Sequence, residues 1–480
     1  MDKHPIISPN NTLRECMAVI DKHAKRISFV LEDGVLVGVL TDGDIRRALL
    51  NKGQLIDPVH SVMNKQFISF PVGTDSKIIR ERFSKRIRHI PLVDHNGSLI
   101  DVADPLGNFR ISVLEPSLKG NELDYVTECI ESNWISSQGK FVTQFEKVFE
   151  EFHPGTHALA VSNGTVALHL ALVALGVGPG DEVIVPNLTF AASANAVIHA
   201  GASPVFCEIG SSTWCIDPNE VKRLVGPKTK AIMPVHLYGQ PCDMDALKEI
   251  CAENNLLMIE DAAEALGSEW KKHRVGTFGD AATFSFFGNK TISTGEGGMV
   301  VFRDHLIADK ARILRDHGMS KQMRYWHDYV GFNYRLTNLQ AAIGVAQMER
   351  VQSILEKKLD IFDRYNFLLQ DVDGIEKLPS KVKNTLHSNW LYGIVVNSDI
   401  SRNVLCEELL AHGVETRPFF YPLNRMPPYE HFKRSRSLKF SENISRNGLS
   451  FPTSVDLTDE NLLTITNCLR EKLNKKTEKT

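Results

Sequence analysis

SFFGNKTISTGEGGM, residues 285–299, is the stretch whose reading decides the fold of this chain. An aromatic-rich strand is expected over 281–287, followed by one lysine, Lys290. A turn dense in glycine (Gly295, Gly297, Gly298) leads into a second apolar strand over 299–302. A lysine beside a sheet edge, in short flexible backbone, suits a covalent bond to an aldehyde cofactor. Most lysines are solvated surface charges. The reading therefore depends on whether the chain supplies an anion for a pyridine nitrogen, a phosphate cup and a flat face.

The anion is Asp261, at the end of LLMIED (256–261), a buried-strand pattern. The carboxyl ends of strands are where open α/β sheets place ligands. The competing use of Asp261 is as a helix N-cap before Ala262–Leu266. The cup is the turn Ser162-Asn163-Gly164-Thr165, which opens into an apolar helix whose free N–H groups favour a dianion. A plain capped helix reads the same way. Gly164 allows close backbone approach, Thr165 adds a hydroxyl, and Ser285 is a further donor to phosphate. The flat face is Phe190 in PNLTFAASANAV (186–197), a ring equally suited to core packing. Each feature is ordinary alone. Their common position, at the strand ends of one sheet, points to a pyridoxal-phosphate site.

At 480 residues the chain has room for about three domains. Its net charge of −3 and the lack of a basic stripe argue against nucleic-acid binding. The eight cysteines form no C-x-x-C pair and no H-E-x-x-H occurs, so neither a disulfide framework nor a metal site is expected, and a reducing cytoplasm is. The first ten residues lack the apolar core of a signal peptide, and no run reaches the ~20 apolar residues of a membrane span.

Residues 1–105 read as two copies of one unit, 1–58 and 59–105, offset by about 62 residues. Each has strand, turn and strand: ISFVLEDGVLVGVLTDGD in the first, HIPLVDHNGSLIDV in the second, with helices over 12–21 and 77–85. The pair resembles tandem CBS domains, modules that commonly bind adenine nucleotides. The resemblance puts Thr41 and Asp44 of GVLTDGD at ribose-contacting positions. In the second copy Asp101 stands where that threonine would be, although Asp104 is retained, which implies one good nucleotide site at most. A module used only for packing or assembly is the alternative. A linker is expected over 106–116, then alternating strands and helices to about residue 470, with a long helix from Asn338 to about Lys358. That alternation implies a mostly parallel sheet covered on both faces.

From about residue 112 to 470 the chain resembles the DegT family of nucleotide-sugar aminotransferases. The matching stretches are NWISSQGKFV (133–142), SNGT (162–165), PNLTFAASANAV, EDAAEALGS (260–268), SFFGNKTISTGEGGM, GFNYRLTNLQAAIG (331–344) and RPFFYPL (417–423). The resemblance implies an α/β, fold-type I pyridoxal-phosphate enzyme. Its large domain, of mixed and mostly parallel sheet, would span 117–355, and its small C-terminal α/β domain 356–475. By the same resemblance Lys290 bonds the cofactor aldehyde and moves the proton, Asp261 pairs with the ring nitrogen, and Glu264 lies near the phenolic oxygen. Gly164, Thr165 and Ser285 hold the phosphate, and Phe190 stacks on the ring. Asn333 reaches the cofactor of the partner in a homodimer, and Arg417 lines the sugar-nucleotide pocket.

EDAAEA, SFFGNKT and RPFFYP are most similar to the subfamily that aminates C4 of GDP-4-keto-6-deoxymannose, with L-glutamate as donor, for surface polysaccharide such as O-antigen. Asn424 departs from the histidine usual after RPFFYPL and bears on substrate choice. Alternatives are an aminotransferase on a UDP-4-keto-6-deoxy-N-acetylhexosamine and a nucleotide-sensing regulator with an idle aminotransferase fold. A family 3-dehydratase carries histidine in place of the lysine, so Lys290 counts against that reading.

Overall fold

The computed structural model describes every residue except 1–3, 24–25, 73, 75–77, 80, 85–86, 104–110, 378–381, 398 and 478–480, and of 475–477 the backbone only. The chain forms two compact units, Met1–Ile111 with Glu407–Glu415, and Ser112–Cys406 with Thr416–Thr480.

The first unit carries the repeat. Strands β1 (Ile6–Ile7), β2 (Ile27–Glu32) and β3 (Val35–Thr41) form one sheet, and β4 (Phe70–Pro71), β5 (Ile90–Val93) and β6 (Leu99–Ala103) another. In each, the first pairing is parallel and the second antiparallel. The hairpins turn at Gly34 and Gly97, both in the left-handed region at φ 85° and 83°, which glycine adopts without steric cost. Leu13, Cys16 and Ile20 form the buried stripe of the helix Leu13–His23, the i, i+3, i+7 pattern of a helix lying on a sheet. Of the helix expected over 77–85, residues 78–79 are helical, 81–82 form a turn, and 77, 80 and 85 lie outside those described. Asp104 and residues 106–110 of the expected linker are also outside them.

The second unit is built on a seven-stranded sheet. Its strands are β7 (His157–Val161), β8 (Glu182–Pro186), β9 (Ser203–Cys207), β10 (Thr229–Ile232), β11 (Leu257–Asp261), β14 (Ala281–Ser285) and β15 (Gly298–Phe302). They lie in the order β7-β15-β14-β11-β10-β8-β9. Pairings from β9 through β14 are parallel, and β15 is antiparallel to both its neighbours, so the sheet is mixed and mostly parallel. Side chains alternate between two cores. Leu159, Val161, Ile259 and Val300 face the helix Gly164–Ala174, and Ala158, Ala160, Phe284, Met299 and Val301 face Phe145, Phe149 and the helix Asn338–Glu349. This is the period-two signature of strands buried on both sides.

A short antiparallel ribbon, β12 (Glu269–Trp270), β13 (His273–Arg274) and β17 (Thr385–Leu386), flanks the sheet in sequence. A second, antiparallel sheet has the order β16 (Ile375–Lys377), β18 (Tyr392–Val396), β20 (Gly448–Phe451), β19 (Arg417–Pro418). The expected single helix from Asn338 to about Lys358 is two helices, Asn338–Glu349 and Val351–Leu369, broken at Arg350. Arg350 donates from Nη1 to the Ser117 carbonyl at 3.1 Å and lies 3.5 Å from Glu122 Oε1, contacts that local periodicity does not encode. The expected boundary at 355/356 falls inside the second of these helices. All eight cysteines are free thiols. Among the described residues no helix is long and apolar enough to cross a membrane, and no group of side chains suits a metal ion.

Candidate active site

Strand direction collects the candidate residues. β8, β11 and β14 run the same way, and β7, two antiparallel steps from β14, shares that direction. Their carboxyl ends, at Val161, Pro186, Asp261 and Ser285, therefore lie along one edge of the sheet. Gly298 pairs with both Val161 and Ser285 there.

The turn after β7 has the build of a phosphate cup. Asn163 caps the helix Gly164–Ala174, its Oδ1 accepting from the Val166 N–H at 3.0 Å. The N–H groups of Gly164 and Thr165 belong to the first turn, which has no intrahelical acceptors. Ser285 abuts this turn: a β-carbon at Gly164 would lie 2.9 Å from that of Ser285. One at Gly298 would lie 2.5 Å from the Asn163 carbonyl carbon and oxygen. Only glycine at these two positions lets β14, β15 and the turn close together.

Asp261 ends β11 with its side chain buried. Its Oδ2 accepts from Ser193 Oγ at 2.7 Å and its Oδ1 from the Ala263 N–H at 3.2 Å. Burial raises its carboxyl above the usual range, against the hydroxyl of Ser193 and the charge of Lys290. The Asp261 carboxylate thus does cap a turn, and it is also a buried anion. Glu264, one turn further on, is buried too, its Oε2 accepting from the Tyr238 N–H at 2.8 Å. Burial pushes its carboxyl up to about 7 despite the nearby Lys290.

Lys290 joins this group. Its Nζ lies 3.7 Å from Glu264 Oε1 and 4.0 Å from the centroid of the Trp390 ring, with 14% of the side chain exposed. Burial lowers its amine below the ordinary lysine range, with Glu264 and Asp261 pulling the other way. Two buried carboxylates thus share one ammonium. Buried Asp261 is an acceptor that a protonated pyridine nitrogen would meet, and the glycine-lined turn suits its phosphate. The residues fit pyridoxal phosphate.

Phe190 follows β8 and is 59% exposed, its ring 5.9 Å from that of Phe420. An exposed ring at a sheet edge is free to stack, unlike a core phenylalanine. Asn424 is tied to the same loop, its N–H donating to Asn187 Oδ1 at 3.0 Å, while its own Oδ1 is buried without a hydrogen-bond partner. Arg417 lies in β19. Asn333 is exposed, its Oδ1 accepting from Arg335 Nε at 3.3 Å. The neighbouring Tyr334 carbonyl accepts from the Ser162 N–H at 2.9 Å, which ties this segment to the cup.

In the first unit Thr41 and Asp44 form a reciprocal capping box at the start of the helix Asp42–Leu50. Asp44 Oδ2 accepts from Thr41 N at 2.9 Å and Thr41 Oγ1 at 2.6 Å, and Oδ1 pairs with Arg47 at 2.5 Å. Both residues line a cavity of about 610 Å³ with Arg26, Arg88 and His89. Asp101 lies in β6, 3.3 Å from His4 Nε2.

The sequence model of the DegT/DnrJ/EryC1/StrS aminotransferase family matches residues 116–470. The chain belongs to that family. A CBS domain model matches residues 1–51, the first of the two repeats. GDP-perosamine synthase of Vibrio cholerae is 47% identical over 367 residues, 76% of this chain and 99% of that protein. The Caulobacter vibrioides protein of the same name is 48% identical, covering 74% of this chain and 95% of its own length. Among solved structures, the aminotransferase TlmJ from Streptoalloteichus hindustanus superposes with a TM-score of 0.72 at 31% identity, over 76% of this chain and 99% of that one.

Members of this family are pyridoxal-phosphate-dependent aminotransferases, and the fold-type I architecture expected from the motifs is the one observed. Three residues at the edge escaped the sequence reading. Ser193 sits inside a quoted motif but is one serine among small residues. Tyr238 acts through its backbone N–H, which no side-chain pattern reveals. Trp390 reaches Lys290 from a hundred residues away, with no local signal at all.

Proposed function

We propose that this chain transfers the amino group of L-glutamate to C4 of a nucleotide-linked 4-keto-6-deoxy sugar, with GDP-4-keto-6-deoxymannose giving GDP-perosamine as the favoured case. The near-full-length similarity to proteins named GDP-perosamine synthase carries this reading. The placement of Lys290 beside Asp261 and Glu264 supports the chemistry.

Pyridoxal phosphate, when bound, supplies an aldehyde for Lys290 and a ring that withdraws electrons from the bond being broken. Asp261, held by Ser193, would keep the proton on the ring nitrogen. Gly164, Thr165 and Ser285 would take the phosphate, and Phe190 would cover one face of the ring. Glu264 would lie near the phenolic oxygen. Burial lowers the pKa of Lys290, so that a larger share of its Nζ is the neutral amine that takes a proton from the donor's α-carbon and returns it two atoms away, across the nitrogen being transferred. In the first half-reaction glutamate leaves as 2-oxoglutarate. In the second, the same groups act in reverse on the sugar ketone. Arg417 and Asn424 line the sugar-nucleotide pocket, and Asn333 completes the partner's cup in a homodimer. The enzyme works in the cytoplasm.

The tandem repeat, in this reading, binds an adenine nucleotide in the cavity beside Thr41 and Asp44 and modulates the aminotransferase. Because the capping box already engages Asp44, a ribose must compete with Thr41 for it. Amination assays with glutamate across GDP-, UDP- and dTDP-4-keto-6-deoxy sugars, with and without AMP or ATP, test the proposal. Turnover should be best with the GDP sugar. A preference for a UDP-linked N-acetylamino sugar would overturn the substrate, and a rate indifferent to both nucleotides would overturn the modulation.

A further inference from the structure

We propose that Trp390 is a positioning residue for Lys290, acting on it at two points. The inference rests on the reading that Lys290 bonds the cofactor aldehyde. The first point is the ammonium, over which the Trp390 ring lies at 4.0 Å from Nζ. The second is the backbone: Trp390 Nε1 donates to the Asn289 carbonyl at 2.6 Å. That carbonyl belongs to the same planar amide as the Lys290 nitrogen, so a hydrogen bond to it fixes the plane from which the lysine departs. The turn is closed on the other side by the Lys290 N–H donating to the Phe287 carbonyl at 2.9 Å.

Trp390 is itself held firmly. It is 4% exposed, and its carbonyl accepts from Thr453 Oγ1 at 2.7 Å and from the buried Lys358 Nζ at 3.2 Å. Tyr238 stacks on it at 6.1 Å and 20°, and the Tyr238 N–H holds Glu264. Trp390 and Glu264 thus bracket the ammonium, and one tyrosine braces both. A lysine has a long flexible stem. Its end is useful for attack and proton transfer only when confined, and a displacement near 1 Å can cost roughly a hundredfold in rate. A ring supplies that confinement without adding an acid or base to the site.

The test compares Trp390→Phe, which keeps an aromatic face but loses the indole N–H, with Trp390→Leu, which loses both. Tyr365→Phe is the control, removing the buried hydrogen bond to the Pro452 carbonyl. Each full-length apoprotein is mixed with pyridoxal phosphate, and covalent attachment at Lys290 is timed by absorbance and located after borohydride reduction. Attachment should slow by about three- to tenfold in Trp390→Phe and about a hundredfold in Trp390→Leu. kcat should fall in step, with KM for the sugar nucleotide within about twofold. Tyr365→Phe should keep the wild-type rate despite a lower melting temperature. Wild-type attachment rates in both tryptophan variants would overturn the inference. So would equal slowing in Tyr365→Phe, which would mark the effect as general loosening. If Trp390→Leu does not fold, Trp390→Phe alone decides. Failure of the wild-type protein to attach at Lys290 would instead overturn the underlying reading.

Discussion

Glu264 shows how a single side chain makes this edge chemical rather than merely structural. It shares one ammonium with a second buried carboxylate, and burial pushes it up to about 7 from an ordinary 4.5. A raised carboxyl favours the protonated form in the folded state. Its stabilising contribution is therefore complete below pH 4.5 and lost as pH rises through about 7. Urea unfolding of the apoprotein should show wild type losing about 3 kcal/mol relative to Glu264→Gln between pH 4.5 and 8. A difference that stays flat over that window would mean Glu264 is already ionised and fully paired. The placement of Lys290, Asp261 and Ser285 at the sheet edge was legible in the sequence because each ends or follows an apolar strand run. The contacts of Ser193 and Trp390 were not, because they depend on which loops the sheet brings together.

The turn proposed to hold phosphate depends on strand packing more than on side-chain chemistry. β14, β15 and the turn at Asn163 meet so closely that Gly298 has no room for a β-carbon. Gly298→Ala should destabilise the protein by about 1–3 kcal/mol through overpacking. It should also weaken affinity for pyridoxal phosphate, read as a higher dissociation constant in titrations of the apoprotein. Unchanged affinity alongside reduced stability would separate the glycine from the cup. The glycine-dense turn itself was readable from composition, as were most strands. The break at Arg350 was not. Periodicity runs through it, and what ends the first helix is Arg350 turning toward Ser117 and Glu122, more than two hundred residues away in sequence.

The chain as a whole joins a repeat, whose first copy matches the CBS domain model, to an aminotransferase. The repeat was visible in the sequence because strand, turn and strand recur in both copies, and the parallel-then-antiparallel pairing recurs with them. The layered sheet was legible for the same reason, since buried parallel strands carry nearly continuous apolar runs. Division of the aminotransferase into large and small parts was harder to place, because the helix Val351–Leu369 runs unbroken across the expected boundary. Every role proposed at this sheet edge requires Lys290 to be the residue that bonds the cofactor. Borohydride reduction of the protein loaded with pyridoxal phosphate, followed by peptide mapping, measures this directly. One label is expected, on Lys290, and with Lys290→Ala no label and a loss of turnover by several orders of magnitude. A label on any other lysine, or none on wild type, would contradict that assignment.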